Sequence, residues 1–231
     1  MIGIIGAMDI EVEGLKNAAT DISERVISGI RFVSGKICGA DVVIAKAGIG
    51  KVNAAMCAEA MILAYSPSLV INTGVAGSLT GGLSIGDIVI ADSVCQHDFD
   101  TSPVGDPIGL LPEVNMIKIP ADKAALAALS EYTEKCGIKF KTGTIASGDV
   151  FVADSDKKNY IVSNFSALAC EMEGGSIGQV CRLNNTPFAI LRALSDSADE
   201  GSCEDYPAFC RIAADRSIAV ISEYLKNVPV G

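Results

Sequence analysis

The sequence predicts an α/β fold in which helices cover both faces of a mixed sheet. Three observations carry that expectation. Short β-branched runs alternate along the chain with Ala-rich or amphipathic stretches. Most of these runs are apolar on both faces, as strands must be when helices pack on either side. Residues 25–47 instead read as consecutive strands joined by tight turns, so part of the sheet should be antiparallel.

The elements follow in order. Strands are expected over residues 2–5, 41–46, 69–72, 87–91, 143–146, 167–170 and 188–191. A first helical turn holds Asp9 and Glu11, acids that favour the positive end of a helix dipole. Gly35 and Gly39-Ala40-Asp41 are turn signals inside the meander. Residues 53–65 form one helix candidate and residues 122–136 another, opened by an Asp122 cap. The last helix is expected from about Glu204 to Lys226. Its apolar stripe would be Phe209, Ile212, Ala213, Val220, Ile221 and Tyr224. No repeat, low-complexity linker or composition break interrupts the 231 residues, so residues 1–231 are expected to form one domain.

Composition excludes several classes of function. Hydrophobic residues make up 49% and charged residues 20%, which suits a packed core and excludes disorder. With 28 Asp+Glu against 18 Lys+Arg, the net charge of −10 argues against nucleic-acid and anionic-membrane partners. No apolar run approaches the roughly 18 residues that a membrane span needs. The N-terminus enters a strand at once without a basic region, so no signal peptide is expected. Eight cysteines contain no C-x-x-C pair, and His97 is the only histidine. A zinc site is therefore not expected, nor any other cofactor, and the thiols are read as reduced in a cytoplasmic protein.

Ligands of such sheets bind outside the carboxyl ends of the strands, so the residues after each strand matter most. Gly-rich corners collect there, but they match no nucleotide-cofactor loop. Gly48-Ile49-Gly50 would begin a dinucleotide fingerprint, yet Asn53 occupies the third glycine position. A Walker loop fails too, with Ala45 and Val52 at the positions that need Gly and Ser or Thr. Acids are more informative. If the strand continues through Glu171-Met172-Glu173, the period of two sends both carboxylates to one side and Met172 to the other. Arg192 and Asp196 flank the exit of the strand at 188–191, although an Asp there also suits a helix cap. Glu11, Glu173 and Asp196 at three strand ends, with no histidine base, suit cleavage of a glycosidic bond through an oxocarbenium-like transition state. One acid would protonate the leaving group while another activates water.

Six segments, in order along the chain, resemble the nucleoside phosphorylase/nucleosidase superfamily. They are Ile4-Ile5-Gly6-Ala7-Met8 with Glu11, Gly48-Ile49-Gly50-Lys51-Val52, Asn72-Thr73-Gly74-Val75-Ala76-Gly77, Ser147-Gly148-Asp149-Val150-Phe151, Glu171-Met172-Glu173, and Arg192-Ala193-Leu194-Ser195-Asp196. Within it the chain is most similar to the bacterial 5′-methylthioadenosine/S-adenosylhomocysteine nucleosidases. The resemblance implies a three-layer α/β/α sandwich, a homodimer and a nucleoside substrate. It also implies hydrolysis that releases adenine and a 5-thioribose product, in methionine salvage.

Carried over by position, the resemblance makes Glu11 the acid that activates the attacking water and Asp196 the proton donor to purine N7. Glu173 would bind the ribose hydroxyls while Met172 packs on the sugar. Phe151 would stack on adenine and the Val152 backbone would bond the base. Ser195 and Arg192 would support the base and the water, and Gly77 and Glu171 are further binding positions. Met8, Ile49 and Tyr206 would form an apolar pocket for the alkylthio group. Val75 departs from the serine that many relatives carry to hold the water. Residues 97–113 correspond to a loop covering a neighbour's pocket, and His97 is expected to be structural. Sibling activities remain as alternatives, namely a phosphorylase or a futalosine-type hydrolase; the intact Glu11, Glu173 and Asp196 speak against a nucleoside-binding protein without catalysis. A phosphorylase needs cationic or amide donors for phosphate, and only Lys51 and Arg192 lie near these motifs.

Overall fold

The computed structural model describes residues 1–228; residues 229–231, included in the expected domain, lie outside them. One sheet of ten strands organises the chain. It begins with β1 (Ile2–Gly6), α1 (Asp9–Ala18) and a meander of β2 (Thr20–Ile27), β3 (Ile30–Ile37) and β4 (Ala40–Lys46). Next come α2 (Lys51–Tyr65), β5 (Leu69–Ser78), β6 (Ile88–Gln96), the short β7 (Ile119–Pro120) and α3 (Lys123–Lys135). The rest is β8 (Phe140–Ser147), α4 (Ser155–Phe165), β9 (Ala169–Glu171), α5 (Gly174–Leu183), β10 (Phe188–Asp196) and α6 (Ser202–Lys226).

The three layers follow from alternation within the strands. Ile5, Val43, Ala45 and Val70 pack with Cys57, Met61 and Ile177 of α2 and α5. Their neighbours Ile4, Val42, Ile44 and Ile71 pack with Leu15, Leu129, Ala213 and Val220 of α1, α3 and α6. The mixed sheet is as expected: β1 runs parallel to β4 and β5, whereas β2, β3 and β4 are antiparallel. The meander starts at Thr20 rather than at residue 25, and nearly all of β2 is exposed. The expected stripe of α6 needs correction. Ile212 faces outward, and the buried face runs through Cys210, Ala213, Ala214, Ser217, Val220, Ile221 and Leu225. The Asp122 cap forms, its carboxylate accepting from Ala125 N at 2.8 Å.

Two features of the sheet position the site. First, β5, β10, β6, β8 and β9 close into a ring, because β10 and β9 both pair with β5. Second, β5 pairs along one edge with β10 from Val70 to Gly77. Its other edge meets β1 at Leu69–Asn72 and β9 only at Gly77 and Ser78. Between them, residues 73–76 have no strand partner on that side, and the sheet is split there. β5, β6 and β10 run several residues past the apolar runs that mark them in the sequence.

Candidate active site

The split in the sheet is closed by side chains instead of a strand. Val75 N donates to Glu11 Oε1 at 3.0 Å, and Val75 O accepts from Arg192 Nη1 at 3.3 Å. A backbone amide that would otherwise be orphaned thus fixes a carboxylate. Glu11 is further held by the turn between β1 and α1, where Oε2 accepts from Ala7 N at 2.7 Å and Met8 N at 2.9 Å. This is the carboxylate half of a capping box, the acid reaching back over the first turn to the N-cap amide.

Arg192 comes up from β10 and is only 1% exposed. Its Nη2 donates to Asn72 Oδ1 at 2.6 Å, to Glu173 Oε2 at 3.2 Å and to Glu171 Oε2 in close contact. Nη1 lies 3.8 Å from Glu11 Oε1. Burial opposes the guanidinium charge, but Glu171, Glu173 and Glu11 together outweigh it and raise its pKa. Asn72 Nδ2 also donates to Ile5 O at 2.9 Å, so one amide ties β1, β5 and β10 together.

The strand does not continue through Glu171-Met172-Glu173. It stops at Glu171, and Glu173 stands at the N-cap position of α5. The two carboxylates still converge, but on Arg192 rather than by strand alternation. Glu171 accepts from the N–H groups of Glu173 and Gly174 and from the Ser147 hydroxyl. Glu173 Oε1 accepts from Gly50 N at 2.9 Å. Gly50 has φ +97°, a conformation that favours glycine, and a Cβ there would sit 3.0 Å from Asp149 Oδ1. Burial pushes the Glu173 pKa up to about 7; Arg192 opposes that shift, and the charges of Glu171 and Glu11 add to it.

Asp196 ends β10 and is not a helix cap. Its Oδ2 accepts from Ser195 Oγ at 2.9 Å and Oδ1 from Ala198 N at 2.9 Å. Around these acids lies a cavity of about 270 Å³. Glu11, Asp196, Glu171, Glu173, Arg192, Ser195 and Gly77 form its polar wall. Met8, Ile49, Phe151, Val152, Met172 and Tyr206 form the apolar one. Every residue singled out in the sequence as catalytic or substrate-binding therefore borders one cavity. Ala7, Val75, Ala76, Val150 and Cys170 border it as well. Asn72 and Ser147 stand in two of the six segments but were given no role, although a polar residue inside a buried β-branched strand is a signal that it has a partner.

His97 is buried beneath the Gly148 turn and does not border the cavity. Burial lowers its pKa to about 4. Lys51 is also off the cavity wall, its Nζ held by Asp98 at 2.7 Å and Gln96 at 3.2 Å.

Comparison with known proteins follows the same lines. Residues 1–226 match the sequence profile of the phosphorylase superfamily. A 5′-methylthioadenosine/S-adenosylhomocysteine nucleosidase of Shewanella loihica is 37% identical over 228 residues, 98% of this chain and 99% of its own. The nucleosidase of that name from Neisseria meningitidis, solved with methylthio-immucillin-A, superimposes with a TM-score of 0.95. It is 34% identical and covers 98% of this chain and 99% of its own. Futalosine hydrolase of Helicobacter pylori superimposes with a TM-score of 0.94 at 36% identity, covering 98% and 97% of the two chains.

Proposed function

The chain belongs to the phosphorylase superfamily, and from that premise we propose that it hydrolyses the N-glycosidic bond of 5′-methylthioadenosine and S-adenosylhomocysteine, releasing adenine. One observation carries the choice of hydrolysis over phosphorolysis. Four buried carboxylates, Glu11, Glu171, Glu173 and Asp196, border the cavity with a single buried cation, Arg192. Three of the four already engage that cation. Among the described residues no other guanidinium borders the cavity to hold a phosphate dianion, and surplus negative charge favours a sugar that turns cationic as its bond breaks.

In this reading Asp196 gives a proton to purine N7, and the C1′–N9 bond breaks with its electrons going to adenine. Glu11, aimed by three backbone N–H groups, takes a proton from water as the water attacks C1′. Glu173 accepts from the ribose hydroxyls while Met172 packs on the sugar. Phe151 stacks on the base and the Val152 backbone bonds it, with Arg192, Ser195, Glu171 and Gly77 shaping the polar wall. Val75 has no hydroxyl for the water, but its N–H fixes the base that activates it.

The active form is a homodimer. Val52, Met56 and Leu63 share the outer face of α2, with Val52 77% and Leu63 71% exposed. Exposed Ile49, Val150 and Phe151 lie at the cavity mouth. Val104, in the segment expected to cover a neighbour's pocket, is 82% exposed. Such apolar surface supports a partner. A cytoplasmic location suits the cysteines, all of them free, with the buried Cys57, Cys95 and Cys181 thiols pushed up to about 12 by burial.

The test is adenine release from methylthioadenosine with and without inorganic phosphate. Phosphate-independent release is expected. Formation of a pentose 1-phosphate that rises with phosphate would make the protein a phosphorylase. Turnover of futalosine in preference to methylthioadenosine would move it to the other neighbouring activity.

A further inference from the structure

The three side chains expected to form an apolar compartment for the 5′ substituent are Met8, Ile49 and Tyr206, and one of them carries a hydroxyl. Tyr206 stands near the start of α6, and its Oη donates to Met8 Sδ at 3.2 Å. A thioether is a weak acceptor, so this bond is easily exchanged for a better one. The ring does not depend on it for position, because it also meets Phe151 edge-on, with centroids 5.4 Å apart and planes at 81°. Burial, then the Cys210 thiol and the charges of Glu11 and Asp196, raise the phenol pKa, so the hydroxyl keeps its proton. A neutral donor therefore borders the cavity beside a sulfur atom that resembles the one in a thioether nucleoside.

We infer that Tyr206 sets specificity at the 5′ position: its hydroxyl turns from Met8 Sδ to an acceptor atom on the 5′ substituent of the bound nucleoside. The inference rests on the adenine-nucleoside reading above. A 5′-hydroxyl buried against carbon alone would lose its bonds to water with no replacement. Tyr206 supplies that replacement, so the compartment accepts 5′-oxygen as well as 5′-sulfur nucleosides.

The test pairs two nucleosides that differ only by the 5′ oxygen, adenosine and 5′-deoxyadenosine, and compares their kcat/KM ratio across variants. In Tyr206→Phe the ratio of adenosine to 5′-deoxyadenosine should fall about fivefold, the ordinary contribution of one neutral hydrogen bond. A fall of less than about twofold, the lower end of that range, or any rise, would overturn the inference. In Met8→Leu the hydroxyl loses its resting partner but not its target, so the ratio should equal or exceed that of the unaltered protein. A fall there would also overturn it. If the unaltered protein releases adenine from neither compound nor from methylthioadenosine, the nucleosidase reading itself fails. An active protein with unmoved ratios removes only the role of Tyr206.

Discussion

Arg192 and Gly74 are directly paired across β10 and β5, and the guanidinium reaches the cavity over the space where Gly74 has no side chain. A Cβ on Gly74 would overlap both Arg192 Nη1 and Glu11 Oε1. One missing methyl group therefore lets the buried cation and the Glu11 carboxylate share a place on the wall.

Gly74→Ala should be damaging in proportion to that overlap. Overpacking a buried position costs about 1–3 kcal/mol, and here the displaced groups are Arg192 and the acid proposed to activate water. A loss of adenine release of about 10²-fold or more is expected, because misplacement by about 1 Å already costs that much. Steady-state turnover and a thermal melt check it. Turnover within a factor of three of the unaltered protein would show that the arginine and acid need not sit so close.

Asp196→Asn and Glu11→Gln each remove one proton transfer of the proposed mechanism and should lower kcat by roughly 10²–10⁴-fold. Glu11→Gln should also lower the melting temperature, because an amide cannot accept on both sides from the N–H groups of Ala7, Met8 and Val75. Asp196→Asn keeps an oxygen for Ala198 N and should melt almost unchanged. Kinetics beside circular dichroism separate the two effects.

Glu173 gives pH dependence in both activity and stability. Its pKa is raised from the ordinary 4.5 to about 7 by burial. In the proposed role of acceptor for both ribose hydroxyls it works as the carboxylate, so kcat/KM should decline as pH falls below about 7. Stability runs the other way. Between pH 4.5 and about 7 the folded chain holds a proton that the unfolded chain has released, so this group's contribution is lost as pH rises through that window. Glu173→Gln should flatten the acid limb of kcat/KM and raise stability at pH 8 relative to pH 5. An unchanged limb in that variant would assign the titration to another group.

His97 titrates with the opposite sign. Burial lowers its pKa from 6.5 to about 4, and neither ring nitrogen has a hydrogen-bond partner among the described residues. As pH falls from 6.5 towards 4, the unfolded chain takes up a proton that the folded chain refuses, and stability falls with it. His97 is the only histidine, so its imidazole gives a single proton resonance pair to follow. Those resonances should stay at their neutral positions down to about pH 5. A midpoint near 6.5 would mean that the ring is open to water.

The sequence shows the three layers because they rest on periodicity, and each β-branched run did become a strand. It shows strand ends poorly where the site begins. Asn72-Thr73-Gly74 looks like a turn, yet β5 runs on to Ser78 because Asn72 is satisfied by Ile5 O and Arg192 and Gly74 makes room for a neighbour. Arg192 and Asp196 similarly extend β10 as buried polar residues, the first satisfied by Asn72, Glu171 and Glu173 and the second by Ser195 Oγ and Ala198 N. The residues bordering the cavity were legible from resemblance in ordered motifs. The split in β5 was not, because it depends on two partner strands that are distant in sequence. Local propensity also could not place Ile212 outside the packed face of α6, since the contact that decides it is tertiary.

The closed ring of β5, β10, β6, β8 and β9 has a colloidal consequence. A strand inside a ring has no long free edge to offer as a template to a stray extended chain, and the gap beside residues 73–76 of β5 is filled by Glu11 and Arg192. Among the described residues the long free edge is therefore β2, which pairs only with β3. That edge is poorly suited to recruiting another strand. Asp21 lies at φ +52° inside a register shift between Thr20 and Ser23, which interrupts the regular ladder. Glu24 and Arg25 follow, charges that a stacked neighbour would have to bury. Exposed Ile22 and Val26 sit on either side of Glu24, so removing that one charge would join them into an apolar strip. Resistance to edge-to-edge aggregation in this protein is thus concentrated in a few residues at the end of the sheet away from the ring.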